Sequence, residues 1–214
     1  MLVKKWMSKD VVTVRPNDTV IKAQILLKKA NIKRLPVLEK KSLVGIVSYW
    51  DLKRMLLPSE TLKVENVMTK NPVTVPWDYT IGETAEILLK RHISCVPVVD
   101  SNGHVIGIIT KGDLFRVLVP LTGVGEKGIQ IALMVDDRTG SIKEIIDIIR
   151  TNGGRLMSVL TSYDEAPKAY LKVYIRMYGI DRNKLPKLRE AISEKASVIY
   201  FVDYRHNKRD IYEM

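Results

Sequence analysis

Apolar positions along the first 120 residues fall into two successive runs of the same design. Each opens with a short apolar stretch, "VVTV" (11–14) or "PVTV" (72–75), followed by polar turn residues, Asn17-Asp18 or Asp78-Tyr79. Val20, Ile21, Ala23, Ile25, Leu26 and Leu27 then recur at helical spacing, as do Ile81, Ala85, Leu88 and Leu89 in the second run. "RLPVLE" (34–39) and "CVPVVD" (95–100) read as strands whose proline favours an edge or a strand start. "KKS" and "SNG" read as hairpin turns and "LVGIVS" and "VIGIIT" as the return strands. "DLKRMLL" and "DLFRVLV" open closing helices that end at Pro58 and Pro120. The order predicted twice is strand–helix–strand–strand–helix.

The pattern changes after "PLTGVGEKG" (120–128), a glycine-rich linker with few apolar anchors. "IQIALMV" predicts a strand and "GSIKEIIDIIRTNGG" an amphipathic helix with a glycine stop. "RLMSVLTSY" and "KAYLKVYIRMY" pair as a hairpin, "NKLPKLREAISEK" is a second helix and "ASVIYFVDY" a last strand. The sum, β-α-β-β-α-β, is a ferredoxin-like order, and the polar tail "RHNKRDIYEM" is expected to be loosely held. The fold class is therefore mixed α/β and α+β. Its expected parts are repeats at 1–61 and 62–120, a linker at 121–128, a third unit at 129–205 and a tail at 206–214.

The first two parts are an internal duplication. Laying residues 3–37 over 64–98 puts Met7 on Met68, Thr13 on Thr74 and Pro36 on Pro97, with the run Ile25–Lys28 on Ile87–Lys90. After a one-residue insertion, Gly45 meets Gly107 and Asp51 meets Asp113. One such unit could not cover its own apolar face, so two modules are expected to pack about a pseudo-twofold axis.

The best-matched stretch, "GIVSYWDLKR" against "GIITKGDLFR", carries the candidate chemistry. Ser48-x-x-Asp51 and Thr110-x-x-Asp113 at a strand-to-helix junction fit a capping box, which needs no ligand. They fit equally the parts a ribonucleotide requires. Free amides at a helix start suit a phosphate, a carboxylate suits a ribose diol, and Arg54 and Arg116, one turn on, could reach phosphate oxygens. Trp50, where the second copy has Gly112, either stacks on a base or fills the cleft.

Composition narrows the choice. With 46% hydrophobic residues the chain is globular, and it shows neither an apolar signal-peptide core nor a membrane span, so the cytoplasm is the expected location. One cysteine, Cys95, excludes an internal disulfide, and three separated histidines argue against a metal site. Net charge is +11, of which residues 1–62 hold +8. That leaves open a nucleic-acid adaptor, a solvated lysine surface, or steering of small anions, but neither clustered aromatics nor a reading helix marks a nucleic-acid module. No nucleophile–base pair or Walker-type loop accompanies the aspartates, so a binding module is favoured over an enzyme. A ligand-free dimeric scaffold is the remaining alternative.

The tandem motifs M-[ST]-x-x-[PV]-V-T-V, h-x-x-[LV]-P-V and G-[IV]-[IV]-[ST]-x-x-D-L resemble two cystathionine-β-synthase (CBS) domains forming a Bateman module. The resemblance implies regulatory clefts for AMP, ADP, ATP or S-adenosylmethionine and no catalytic cofactor. It implies phosphate and ribose contacts from Ser48 and Asp51 in one cleft and Thr110 and Asp113 in the other. Around the base it implies Thr13, Val14, Arg34 and Leu35, with Thr74, Val75, Cys95 and Val96 in the second repeat. "DDRTGSIKEIIDIIRTNGGRL" (136–156) resembles an ACT domain. That implies a homodimer formed through the sheet and a possible amino-acid site at Asp137, Thr139 and Gly140. Two CBS repeats followed by ACT resemble the acetoin-utilisation protein B type of regulator, whose regulated protein partner the sequence does not name.

Overall fold

The structure, a computed structural model, describes residues 1–53, 61–125 and 127–212; Arg54 and Pro58 lie outside the described residues. Backbone contacts divide the chain into two units, Met1–Val117 and Leu118–Met214.

In the first repeat, Thr19 caps α1 (Val20–Lys29) by accepting from the Lys22 amide at 3.2 Å, and the helical spacing buries Val20, Ala23 and Leu27. β1 (Arg34–Glu39) and β2 (Ser42–Ser48) form a hairpin turned at Lys40, followed by α2 (Tyr49–Lys53). In the second repeat, β3 (Thr69–Lys70) and β4 (Val75–Pro76) lead to α3 (Ile81–Lys90), whose start carries a reciprocal Thr80–Glu83 capping box. β5 (Cys95–Val99), β6 (Val105–Thr110) and α4 (Lys111–Thr122) complete it. The helix α4 runs past Pro120, the expected stop, forgoing the hydrogen bond that an amide there would give the Arg116 carbonyl, and Thr122 Oγ1 donates to the Leu118 carbonyl at 2.9 Å in its last turn.

The repeats are not self-contained. Ser8 exchanges two backbone hydrogen bonds of 3.0 Å with Ile108 of β6, and β3 pairs antiparallel with β2, Gly45 opposite Lys70 and Ile46 opposite Thr69. Each repeat thus lends its leading segment to the other's sheet. Val3 and Met7 complete the core of Val75, Leu88, Val96, Val98 and Ile109, while Val64 joins the core of Val14, Val20, Leu27, Leu35, Val47 and Leu52. The glycine of each return strand follows from this crossing: a Cβ at Gly107 would overlap the Met7 sulfur, and one at Gly45 the Met68 sulfur. The duplicated methionine and the duplicated glycine are two sides of one contact.

Two sequence expectations are corrected here. The overlay of Ile25 on Ile87 is one residue out of register: buried Ala23 and Leu27 match buried Thr84 and Leu88, each 61 residues on, and Ile25 is exposed. Pro97 lies in the middle strand of the order β4-β5-β6, not at an edge, and it is tolerated because β4 reaches only Val98 and Val99.

In the C-terminal unit, β7 (Ile129–Asp136), α5 (Ser141–Thr151), β8 (Arg155–Ser162), β9 (Tyr170–Tyr178), α6 (Leu185–Ser193), β10 (Ser197–Asp203) and β11 (Lys208–Ile211) form an antiparallel sheet in the order β11-β10-β7-β9-β8. Alternate residues Ile129, Ile131, Leu133 and Val135 of β7 and Leu171, Val173, Ile175 and Met177 of β9 pack against Ile145 and Ile149 of α5 and Leu188 and Ile192 of α6. The tail is not loose. Asn207 turns the chain at φ 51°, β11 pairs with β10, and Arg189 donates to Asp210 at 2.6 Å. Its charged run, Lys208-Arg209-Asp210, suits an exposed edge strand.

Candidate functional site

Ser48 closes β2 and Thr110 closes β6, so both hydroxyls sit where a strand gives way to a helix. Asp51 Oδ2 accepts from the Ser48 amide at 2.8 Å and from its hydroxyl at 2.6 Å, and the Asp51 amide donates to Ser48 Oγ at 3.2 Å. Thr110 and Asp113 repeat the pattern at 2.9, 2.8 and 3.3 Å. The capping reading is therefore physically present in both copies.

What capping alone does not account for is the cavity beside each box. The Ser48–Asp51 box borders a cleft of about 350 Å³, walled by Arg34 and Ile46 of its own repeat and by residues 69, 71–73, 92–95 and 97 of the other. Thr110 borders a cleft of about 780 Å³, walled by Ser94, Cys95, Ile108, Lys111 and Gly112 with residues 8–12, 30–34 and 36 of the first repeat. The segment exchange explains these walls, because the lent residues 8–12 and 69–73 reach the mouth of the partner repeat's box. Asn31 and His92, at φ 51° and 52°, end the helices in equivalent places and turn the chain along the clefts.

Arg34 and Cys95, the first residues of β1 and β5, line both cavities. Burial pushes the Cys95 thiol up to about 11, against the pull of the Arg34 charge, so it stays a protonated apolar wall. The two aspartates differ. Asp51 is half-buried and lines its cleft, whereas Asp113 is buried and its Oδ1 takes Arg116 Nη1 at 3.1 Å.

Several expected positions fall elsewhere. Thr13 and Val14 line a separate hollow of about 690 Å³ with Arg15, Asp18, Lys22, Leu38 and Lys40. Leu35, Val75 and Val96 are wholly inside the cores, and Thr74, between them and the surface, lines neither cleft. Lining residues come instead from the first two positions of "VVTV" and "PVTV", 11–12 and 72–73, and from 31–33 and 92–94 at the helix ends. Trp50 neither plugs nor lines the first cleft: it is 62% exposed, edge-on to Tyr49 with ring centres 5.6 Å apart, and Lys53 Nζ stands 5.4 Å from its ring. In the other unit, Asp137, Thr139 and Gly140 share one turn before α5, with Gly140 at φ 96° as its N-cap. Arg138, not anticipated, forks onto Glu144 at 2.8 and 3.1 Å and holds that carboxyl below its usual range. Among the described residues, no group of three His, Cys, Asp or Glu side chains is placed to hold a metal, and no described helix is long and apolar enough to cross a membrane.

Comparison with known proteins bears on the same residues. Residues 3–58 and 64–120 each match the family model of the CBS domain. An inosine-5′-monophosphate dehydrogenase of Korarchaeum cryptofilum is 31% identical over 155 residues, 70% of this chain but only 32% of the enzyme's length. The CBS domain pair of protein MJ0100, solved in complex with 5′-methylthioadenosine and S-adenosyl-L-methionine, superposes with a TM-score of 0.51 at 35% identity, covering 55% of this chain and 95% of that one. CBSX2 of Arabidopsis thaliana, solved in complex with AMP, gives 0.50 at 29% identity, with 55% and 96% covered.

Proposed function

The chain belongs to the CBS-domain family, and on that premise we propose that it is a regulatory sensor whose paired repeats bind adenosine-containing ligands. One observation carries the reading: the exchanged segments wall a cavity beside each hydroxyl–carboxylate box, lined by Ser48 and Asp51 in one repeat and by Thr110 in the other, so these groups face space as well as capping helices. The related pairs solved with AMP and with S-adenosyl-L-methionine support the ligand class. In this reading, the Asp51 carboxylate receives the ribose diol in one cleft. In the other, Thr110 and the amides opening α4 meet phosphate, and the exposed Arg116 turns from Asp113 toward it. Occupancy is passed to a regulated protein rather than spent on chemistry.

The strand order of the C-terminal unit supports a ferredoxin-like, ACT-type domain, to which we assign dimerisation along an exposed sheet edge. Asp137, Thr139 and Gly140 form its candidate amino-acid turn.

The test is the unfolding midpoint of the full chain against AMP, ATP, S-adenosylmethionine and an amino-acid mixture, since a ligand bound only by the folded state raises it. At a hundred times the dissociation constant the gain is about 2.7 kcal/mol. The account expects a rise with at least one adenosine ligand, abolished by Asp51→Asn together with Asp113→Asn, which keep a capping acceptor. A rise that survives the double substitution removes the site assignment, and no rise with any adenosine ligand removes the sensor reading.

A further inference from the structure

Resting on that reading, we propose that the clefts take different ligand classes: the Thr110 cleft a nucleoside polyphosphate, the Ser48 cleft a nucleoside carrying no phosphate. The duplicated frame makes the two walls directly comparable. The Thr110 cleft is more than twice as large, about 780 against 350 Å³. Small-molecule sites span roughly 300–1,000 Å³, so the lesser cleft sits at the lower end, the size of a nucleoside, and the greater has space for a phosphate chain as well.

Charge separates them further. Besides the shared Arg34, the described wall of the Thr110 cleft holds Lys9, Lys33 and Lys111 against a single acid, Asp10. The described wall of the Ser48 cleft holds no lysine, and its acid is Asp51. For two of the three lysines the difference arises at equivalent positions of the duplication, whereas Lys9 falls on Lys70. Lys33 stands where the second repeat has Ser94, and Lys111 where the first has Tyr49. The acids differ in the same sense: Asp113 is buried and absent from the wall of its cleft, while Asp51 lines its own, where it repels phosphate and accepts a diol or a cationic sulfonium. Three lysines converging on one cavity gather the charge of a phosphate chain, and that attraction weakens with salt.

Calorimetric titration of the full chain with adenosine and with ATP, singly and in sequence, tests the partition. Protein saturated with adenosine should still take ATP at one further site. Lys33→Ser with Lys111→Ser should weaken ATP tenfold or more and leave adenosine unchanged. Asp51→Asn should weaken adenosine tenfold or more and leave ATP within twofold. Raised salt should weaken ATP alone. Displacement of adenosine by ATP from one common site, or equal losses of both ligands in either variant, overturns the partition while leaving nucleotide binding in place. Absence of binding by either ligand to the unsubstituted chain overturns both the partition and the sensor reading beneath it.

Discussion

Substituting Gly107→Ala probes the segment exchange on which both clefts depend. The three atoms nearest the added methyl all belong to the Met7 side chain: the sulfur would overlap it, and Cγ and Cε would lie at 2.8 and 3.1 Å. Met7 is only 9% exposed and belongs to the buried core, so although its three torsions let it give, it must repack. Overpacking of this kind costs about 1–3 kcal/mol, whereas the lower chain entropy of alanine returns about 0.4–1, so the net effect is destabilising. Met7→Ala alone costs about 2–5 kcal/mol through lost burial and a cavity. Together the two changes should cost at least about 1 kcal/mol less than their sum, because the new methyl occupies space the methionine has left. The assay is urea unfolding followed by tryptophan fluorescence. All three tryptophans, Trp6, Trp50 and Trp77, lie within Met1–Val117, so the signal reports that unit. With a slope of ~2 kcal/mol per molar, a 2 kcal/mol loss lowers the midpoint by about 1 M. A neutral Gly107→Ala, or strict additivity with Met7→Ala, would refute the reasoning. Gly45→Ala should be relieved only in part by Met68→Ala, since its methyl also meets the Thr69 carbonyl at 3.1 Å.

Other outcomes follow from single residues. Because Arg34 lines both clefts, Arg34→Ala should weaken ligand binding in each, read by calorimetry; a loss confined to one cleft denies the shared wall. Burial alone would raise the Asp203 carboxyl, but His206, the Arg205 amide and Arg182 outweigh it and hold the group below the usual carboxylate range. Stability from that depressed group is present above its unfolded value, about 3.9, and is lost as pH falls through the folded one. Acid titration of the C-terminal unit, followed by tyrosine circular dichroism, should therefore show a loss below about pH 4 that Asp203→Asn flattens. Ending the chain after His206 removes β11 and the 2.6 Å Arg189–Asp210 pair, and should lower the melting point of that unit; an unchanged melting point would mean the strand adds nothing.

Much of this organisation was legible in the sequence because the duplication writes each element twice. Helices α1 and α3, the two hairpins and the Ser48–Asp51 and Thr110–Asp113 boxes follow from local spacing and cap chemistry, which a single chain carries on its face. The exchange of leading segments does not, because it pairs Ser8 with Ile108 and Thr69 with Ile46, contacts that no local pattern encodes. That is why the cleft walls at 8–12 and 69–73 were missed and Thr13, Val14, Thr74 and Val75 named in their place. The signal was nevertheless there: Met7 and Met68, repeated with Gly45 and Gly107, mark which strands the lent segments cross. The tail is illegible for the opposite reason, since a run of charged residues on an edge strand resembles a loose end until its partner is known. Ile25 and Ile87 were aligned by identity, whereas burial follows Leu27 and Leu88.

The most direct test of the central claim is a crystal structure of the full chain grown with saturating AMP. The account predicts an adenosine moiety within at least one cleft, seated between a hydroxyl–carboxylate box of one repeat and the lent segment of the other. Two empty clefts, or AMP bound only outside them, would contradict it.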